Sequence, residues 1–252
     1  MLIDINVTSG HWPFQRFAVQ TPEALHAHLT STGITHALVS PVEAALHPDP
    51  DEYNHPLLKA LSGHACLRPV PVLNPSLPGW QDRLQEYTGR YQVRAVRIMP
   101  NYHLYDLEQD CAQELADRLN AAGIPLLVQL RLEDERNQYA ALKIAGVPVE
   151  SVCTLANRWP ALRVVCLCPF MGEAVQLVQE APNTWVDLAC VESLDTLASL
   201  LAAVPAHRVL FGSHTPFLYT RAGMAKLETA NVSPDALEAV RCTNALRLFG
   251  EF

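Results

Sequence analysis

"RVLFGSHTPF", residues 208–217, is an apolar run that ends in a polar turn. Its apolar residues lead up to Gly212, Ser213 and His214, and the chain then turns away at Pro216. Binding and catalytic side chains are often found where a loop leaves the end of a buried strand. The stretch therefore raises the question whether His214 does chemistry, binds a metal or only fills a corner of the fold.

Seven further runs of this kind precede it, and together they predict eight β-strands. By position these are residues 2–7, 34–40, 66–74, 93–100, 125–131, 162–168, 184–189 and 208–213. Helical patterns alternate with them. One predicted helix covers Asp106 to Ala122 and ends at Gly123; another starts at Ser233 as N-cap and continues to Leu248.

Apolar strands that alternate with helices favour a parallel sheet covered on both faces. Eight such units predict a single (β/α)8 TIM barrel in the α/β class, formed by residues 1–252 as one domain. A doubly wound open sheet is the main rival. It is less favoured because no glycine-rich phosphate loop follows the first strand.

Composition limits the partners and the compartment. The chain has 252 residues, 49 % of them hydrophobic, and a formal net charge of −8, which disfavours nucleic acid and anionic membranes as partners. No apolar run is long enough to span a bilayer, and the first ten residues do not resemble a signal peptide. We expect a cytoplasmic protein with seven reduced cysteines and a small-molecule partner.

Polar side chains lie at the carboxyl ends of the predicted strands. In a barrel these ends meet at one mouth, where active sites form. The residues concerned are Asp4, Asn6, Arg97, Gln129, Arg131, Cys168, Asp187 and His214. Such a set predicts either a ligand site or a hydrogen-bonded plug that shapes the top of the barrel.

Several of these stretches together resemble the amidohydrolase superfamily, in the branch that includes aminocarboxymuconate semialdehyde decarboxylase. The resemblance rests on "LIDINV", "PLLVQ", "PALRVVCLC", "RVLFGSHTPF" and the closing "NALRLFG", and it covers nearly the whole chain. It implies a metal held by His-x-His on strand 1, by one histidine each on strands 5 and 6, and by an aspartate on strand 8. Those positions here are Asp4 and Asn6, then Gln129, Cys168 and His214.

All five positions depart from the family's pattern, which disfavours the usual metal. Amide oxygens are weak zinc ligands; if zinc is bound, Asp4, Cys168 and His214 are the candidate ligands. Without a metal, any chemistry needs ordinary acid–base groups. We then expect His214 and Asp4 to form a catalytic pair in which the carboxylate orients the imidazole.

The loops after strands 1, 4 and 5 supply the candidate substrate contacts. Arg97, Arg131 or Arg136 could clamp an anion, although residues 131–138 could equally be a solvated loop. By resemblance, His103 could touch the substrate, unless its loop is simply packed. Asn6 and Gln129 would bind polar groups, and Trp12 belongs to an aromatic loop that could cover the pocket or form a homodimer contact.

Taken together, the sequence predicts an amidohydrolase-like hydrolase or related lyase that acts on a small polar, anionic substrate. The alternative is a catalytically inactive barrel that binds a metabolite or a partner protein. A working hydrolase needs a metal or a His–carboxylate pair to activate water, so these groups distinguish the two.

Overall fold

The computed structural model describes all 252 residues and shows eight parallel strands. They are β1 (Ile3–Ser9), β2 (His36–Pro41), β3 (Leu67–Pro69), β4 (Val96–Ile98), β5 (Leu126–Gln129), β6 (Val164–Leu167), β7 (Thr184–Asp187) and β8 (Val209–Leu210). The main helices are α1 (Pro22–Ser31), α2 (Asp51–Ala60), α3 (Trp80–Gly89), α4 (Asp110–Ala122), α5 (Val149–Arg158), α6 (Met171–Glu180), α7 (Thr196–Leu201), α8 (Thr220–Glu228), α9 (Pro234–Glu238) and α10 (Asn244–Phe249).

The strands close into a barrel. Regular pairing joins β1 to β3 and β4 to β8, and two single parallel bridges, Val7 with Thr215 and Val72 with Arg97, join the two groups. Backbone hydrogen bonds from Ile5 N to Phe211 O at 3.0 Å and from Thr8 N to Thr215 O at 2.8 Å strengthen one of these seams. The predicted TIM barrel is confirmed, and closure rules out the open sheet.

Two apolar layers fill the molecule. A cluster of 49 buried residues packs the outer strand faces against the helices. A smaller cluster of 13 buried residues, including Ile5, Leu127 and Leu210, extends to Leu248 and Phe249 on α10. Apolar packing thus holds the barrel together and leaves the strand ends for polar residues.

Some element boundaries differ from the prediction for local reasons. Strand β3 covers only Leu67–Pro69, because proline supplies no N–H to a ladder and Pro69 and Pro71 interrupt the run. Helix α4 starts at Asp110 rather than Asp106 and ends at Gly123, whose φ is +64°. The final helix starts at the predicted N-cap, Ser233, but residues Ala239–Thr243 are π-helical.

No helix of the protein combines the length and the apolar character that crossing a membrane demands.

Candidate active site

A set of buried polar side chains, which we call the polar floor, lies at the carboxyl ends of the strands. Every member has a relative exposure of 0–1 %. Its members are Asp4, Asn6, Arg97, Gln129, Cys168, Asp187 and His214. Buried polar groups need partners, so the hydrogen bonds among them define what the floor can do.

The centre of the polar floor is a chain of hydrogen bonds from β1 to β7. Asn6 Nδ2 donates to Asp187 Oδ2 at 2.7 Å and to Cys168 Sγ at 3.3 Å. Gln129 Nε2 also donates to Cys168 Sγ, at 3.4 Å, and to Arg131 O at 2.6 Å. Both amide groups therefore turn their N–H groups, rather than their oxygens, toward the sulfur.

His214 has its own place at the edge of this chain. Its backbone is left-handed, with φ +56°, and its ring stacks on Phe217 with centroids 4.8 Å apart. Nε2 lies 2.7 Å from Leu132 O, and Nδ1 lies 3.4 Å from Asn6 Oδ1. Because a backbone carbonyl can only accept, Nε2 carries the proton and donates, which leaves Nδ1 with a free electron pair.

The His214 ring is held in its neutral form. Burial lowers its pKa to about 4, and the positive charge of Arg97 acts in the same direction, while the Leu132 carbonyl opposes both. At neutral pH His214 is thus a base with one unprotonated nitrogen.

The expected pair between His214 and Asp4 is not formed. Asp4 Oδ1 instead accepts from the backbone N–H of Ser213 at 3.0 Å and of Asn6 at 3.1 Å. Its other oxygen has no partner. The left-handed turn at His214 directs the imidazole toward Leu132, so the carboxylate orients the backbone of the preceding residue rather than the ring.

Both buried aspartates resist ionisation. Burial raises the pKa of Asp4 to about 7, although its bonds with Ser213 lower it in part. Burial also raises the pKa of Asp187 to about 6, against lowering by Asn6 and by the backbone N–H groups of Cys168 and Ala189. At neutral pH Asp187 is therefore mostly ionised and Asp4 about half ionised.

Arg97 contributes a positive charge to the polar floor. Nη1 donates to Gln129 Oε1 at 3.4 Å, whereas Nε and Nη2 have no partner. Burial lowers its pKa to about 10, and the negative charges of Asp187 and Asp4 offset part of that effect. The guanidinium remains protonated at any physiological pH.

The other two predicted arginines do not offer a free guanidinium. Arg131 is buried and donates to Cys168 O and to Glu173, with Nη1 2.7 Å from Glu173 Oε2, while its guanidinium covers the Phe170 ring. Arg136 is 87 % exposed and pairs with Asp134. Arg131 is thus committed to Glu173, whereas Arg136 lines the cavity described below and stays a proposed substrate contact.

His103 and Trp12 are packed in the loops around the mouth of the barrel, which for His103 is the alternative left open above. His103 Nε2 lies 2.9 Å from Ala44 O, so it ties the loop after β4 to the loop after β2. Trp12 is 1 % exposed and packs edge-to-face on Phe217, with centroids 5.5 Å apart. Both stabilise loops around the mouth of the barrel, and neither lines the cavity described next.

A cavity of about 580 Å³ opens above the polar floor, within the size range of small-molecule sites. His214 is the one floor residue in its lining. The others are Gln15, Leu132, Glu133, Asp134, Arg136, Asn137, Phe170, Met171, Gly172, Cys190, Glu192, Phe217 and Leu218. Asp134 pairs with Arg136 and Glu192 with Lys226, so most of the charge in the lining is locally compensated.

Sequence reasoning missed several of these lining residues. Phe217, which holds the His214 ring, stands in the opening stretch itself, but nothing in the sequence indicated stacking. Cys190 follows β7 by three residues and lies close enough to Cys168 to raise the pKa of that thiol further, after burial as the main cause. Its position after a strand end was the available signal.

The residues of the floor do not fit a divalent metal. Asp4, Cys168 and His214, the set considered for zinc, are not brought together, and no group of three or more His, Cys, Asp or Glu side chains is placed to hold an ion. The Cys168 thiol stays protonated because burial raises its pKa well above 9, whereas zinc binds thiolate. His214 Nε2 is already committed to Leu132 O.

A barrel of eight parallel strands with a polar mouth defines a class with many enzymes, and comparison with known proteins narrows it. A family model described as amidohydrolase matches residues 66–250, well over half of the chain. The chain therefore belongs to the amidohydrolase family. No curated protein matches it.

Solved structures of similar shape are distant in sequence. A dihydroxybenzoic acid decarboxylase from Polaromonas, solved with manganese and 2-nitroresorcinol, shares 12 % identity and a TM-score of 0.74 over 98 % of this chain and 96 % of that one. For 5-carboxyvanillate decarboxylase from Sphingomonas paucimobilis the values are 14 % and 0.75, over 98 % of each chain. A manganese-bound 5-carboxyvanillate decarboxylase from Novosphingobium aromaticivorans gives 13 % and 0.77, over 100 % and 97 %. At such identity these likenesses show the fold.

Proposed function

We propose that this protein is an enzyme of the amidohydrolase family that acts, as a lyase or hydrolase, on a small polar substrate with a ring. The observation that carries the proposal is the cavity of about 580 Å³ with the neutral imidazole of His214 in its wall. Phe170 and Phe217 offer aromatic surface for a ring. The decarboxylases of similar fold act on hydroxylated aromatic acids by their names, which supports this substrate class.

His214 is the proposed proton acceptor. A substrate hydroxyl or a water molecule gives its proton to Nδ1, and Nε2 keeps its own proton for Leu132 O. The imidazolium that results has an oxygen beside each N–H, because Asn6 Oδ1 lies 3.4 Å from Nδ1 and Leu132 O lies 2.7 Å from Nε2. Asn6 is itself fixed by Asp187, so these two residues position the base rather than touch the substrate.

The charges around the site do not decide between an anionic and a neutral substrate. Arg136 is the one arginine of the lining and is paired with Asp134, and Arg97 does not line the cavity, so a substrate carboxylate would compete with Asp134 for Arg136. Aromatic acids and neutral ring lactones are therefore both included in the test. In a hydrolytic step the water oxygen attacks the ring carbonyl as His214 takes its proton, and the imidazolium then returns that proton to the leaving oxygen. In a lyase step the bond from the ring to the carboxylate breaks as CO2 leaves, and the imidazolium returns the hydroxyl proton to the ring carbon.

The test is a turnover assay with wild-type protein and two variants. The panel contains 2,6-dihydroxybenzoate, 5-carboxyvanillate and ring lactones, followed by ultraviolet absorbance. His214→Asn keeps a residue that tolerates a left-handed backbone, and we expect kcat/KM to fall by about 10²–10⁴-fold, as for loss of a general base. The control is His207→Gln, in the exposed turn that precedes β8, with unchanged turnover.

A second candidate function is binding without turnover. It is favoured by the finding that neither a metal-ligand set nor a His–carboxylate pair is assembled. Calorimetric titration of the same compounds separates the two: saturable binding with no turnover supports the binding protein. If no ring compound in the panel is bound or turned over, both candidate functions are refuted.

A further inference from the structure

Arg97 is an unusual residue for the inside of a barrel. It carries a full positive charge at 0 % exposure, yet its one hydrogen bond is the 3.4 Å contact with Gln129, and Nε and Nη2 have no partner. A buried charge without compensation is strongly unfavourable. Something other than hydrogen bonding must therefore balance this guanidinium.

The balancing groups are the acids of the polar floor. Asp4 and Asp187 are both fully buried, and their negative charges favour the protonated guanidinium of Arg97. The positive charge acts in turn on His214. Arg97 thus lies within electrostatic reach of strand ends all around the barrel, and it is the only cationic member of the floor.

The two amide side chains of the floor are oriented in a way that suits the Arg97 cation and does not suit a metal ion. Asn6 and Gln129 direct their amide N–H groups at Cys168, whereas a metal would need their oxygens. The oxygen of Gln129 accepts from Arg97 instead. The amide oxygen of Gln129, which could otherwise face a metal, is thus used within the protein.

We propose that the Arg97 guanidinium is the resident cation of the polar floor and takes the electrostatic place of a divalent metal. The solved decarboxylases from Polaromonas and Novosphingobium contain manganese, and their folds are similar to this one. Here the positive charge is covalently part of β4 and cannot dissociate. The inference holds whether the cavity above supports turnover or only binding.

The first test is titration of the whole, chelator-treated protein with MnCl2. A ligand that binds the native state tightly raises the melting temperature. We expect no saturable binding tighter than about 1 mM and a melting temperature within about 1 °C of the metal-free value. A one-to-one site with micromolar affinity would overturn the proposal.

The second test measures whether the charge of Arg97, rather than its volume, stabilises the buried carboxylate of Asp4. Arg97→Met removes the charge with little change in length, Arg97→Lys keeps it, and Asp4→Asn removes one acid. At pH 8 we expect Arg97→Met to lower the melting temperature far more than Arg97→Lys does. Asp4→Asn should raise it by about 5 °C more in the Met background than in the wild type.

Additive effects of the two substitutions, with Met and Lys equally harmful, would show that Arg97 acts only by filling space. If Arg97→Met does not fold alone, folding restored by Asp4→Asn supports the proposal. If neither variant folds, the manganese titration of the wild type decides.

Discussion

At the scale of single residues, the two buried aspartates show how much one oxygen atom matters. In Asp187 both oxygens accept: Oδ1 from the backbone of Cys168 at 2.9 Å, and Oδ2 from Asn6 at 2.7 Å. In Asp4 only Oδ1 accepts, and Oδ2 has no partner. Asparagine offers one oxygen and one N–H₂ group, so it can replace the second arrangement but not the first.

We expect Asp4→Asn to raise the free energy of unfolding at pH 8 by about 1–3 kcal/mol. In the folded protein the pKa of the Asp4 carboxyl group is about 7, above the ordinary 3.8. Between pH 3.8 and pH 7 the folded state therefore holds a proton that the unfolded state lacks. Stability from this group is therefore present at low pH and lost as pH rises toward 7. Urea unfolding of the wild type and of Asp4→Asn at pH 5 and pH 8 measures this difference in the free energy of unfolding.

The matched variant is Asp187→Asn. Its new N–H₂ group would face Asn6 Nδ2, donor against donor, and we expect a loss of about 2–4 kcal/mol in the same measurement. Equal effects of the two substitutions would contradict this description of the floor.

At the scale of elements, the loop after β5 is fastened to α6 by one ion pair. Arg131 donates to both oxygens of Glu173, and Glu173 also accepts from the backbone N–H of Phe170 at 2.7 Å, at the start of α6. Leu132, the partner of His214, directly follows Arg131 in this loop. The ion pair thus fixes the carbonyl that sets the state of the histidine.

We expect Glu173→Gln to cost about 1–3 kcal/mol, because it leaves the buried Arg131 charge unpaired while Glu173 itself is one quarter exposed. Hydrogen exchange should also speed up in residues 130–147. The control is Asp134→Asn, whose partner Arg136 is 87 % exposed, with a cost of about 0.5 kcal/mol or less. A Glu173→Gln protein as stable as the control would show that the ion pair does not hold the loop.

Elements were predicted well from the sequence where the signal is local. The N-cap at Ser233 and the stop at Gly123 follow from side-chain and backbone preferences alone. The length of β3 and the π-helical residues 239–243 were not predicted. The π-helical residues pack against the end of β8, where the backbone N–H of Phe211 donates to Val240 O.

At the scale of the whole molecule, strand alternation was sufficient to predict the barrel and the residues that converge at its mouth. It was not sufficient to predict their pairing. Whether His214 meets Asp4 or Leu132 depends on a left-handed backbone at one residue and on a carbonyl 82 positions earlier in the chain. Such contacts are set by three-dimensional closure, which spacing along the sequence does not contain.

The central claim is that barrel closure creates a floor in which His214 is a neutral base. The ring depends on β1 through Asn6, on β4 through Arg97, on the loop after β5 through Leu132 and on Phe217 after β8. Its protonation state therefore reports on the assembled site as a whole.

The most direct measurement is a nitrogen-15 NMR titration of the His214 ring in the intact protein, assigned by comparison with His214→Asn. The account predicts a pKa near 4, with the proton on Nε2 throughout the neutral range. A pKa at or above the ordinary value of about 6.5, or a proton on Nδ1, would contradict it.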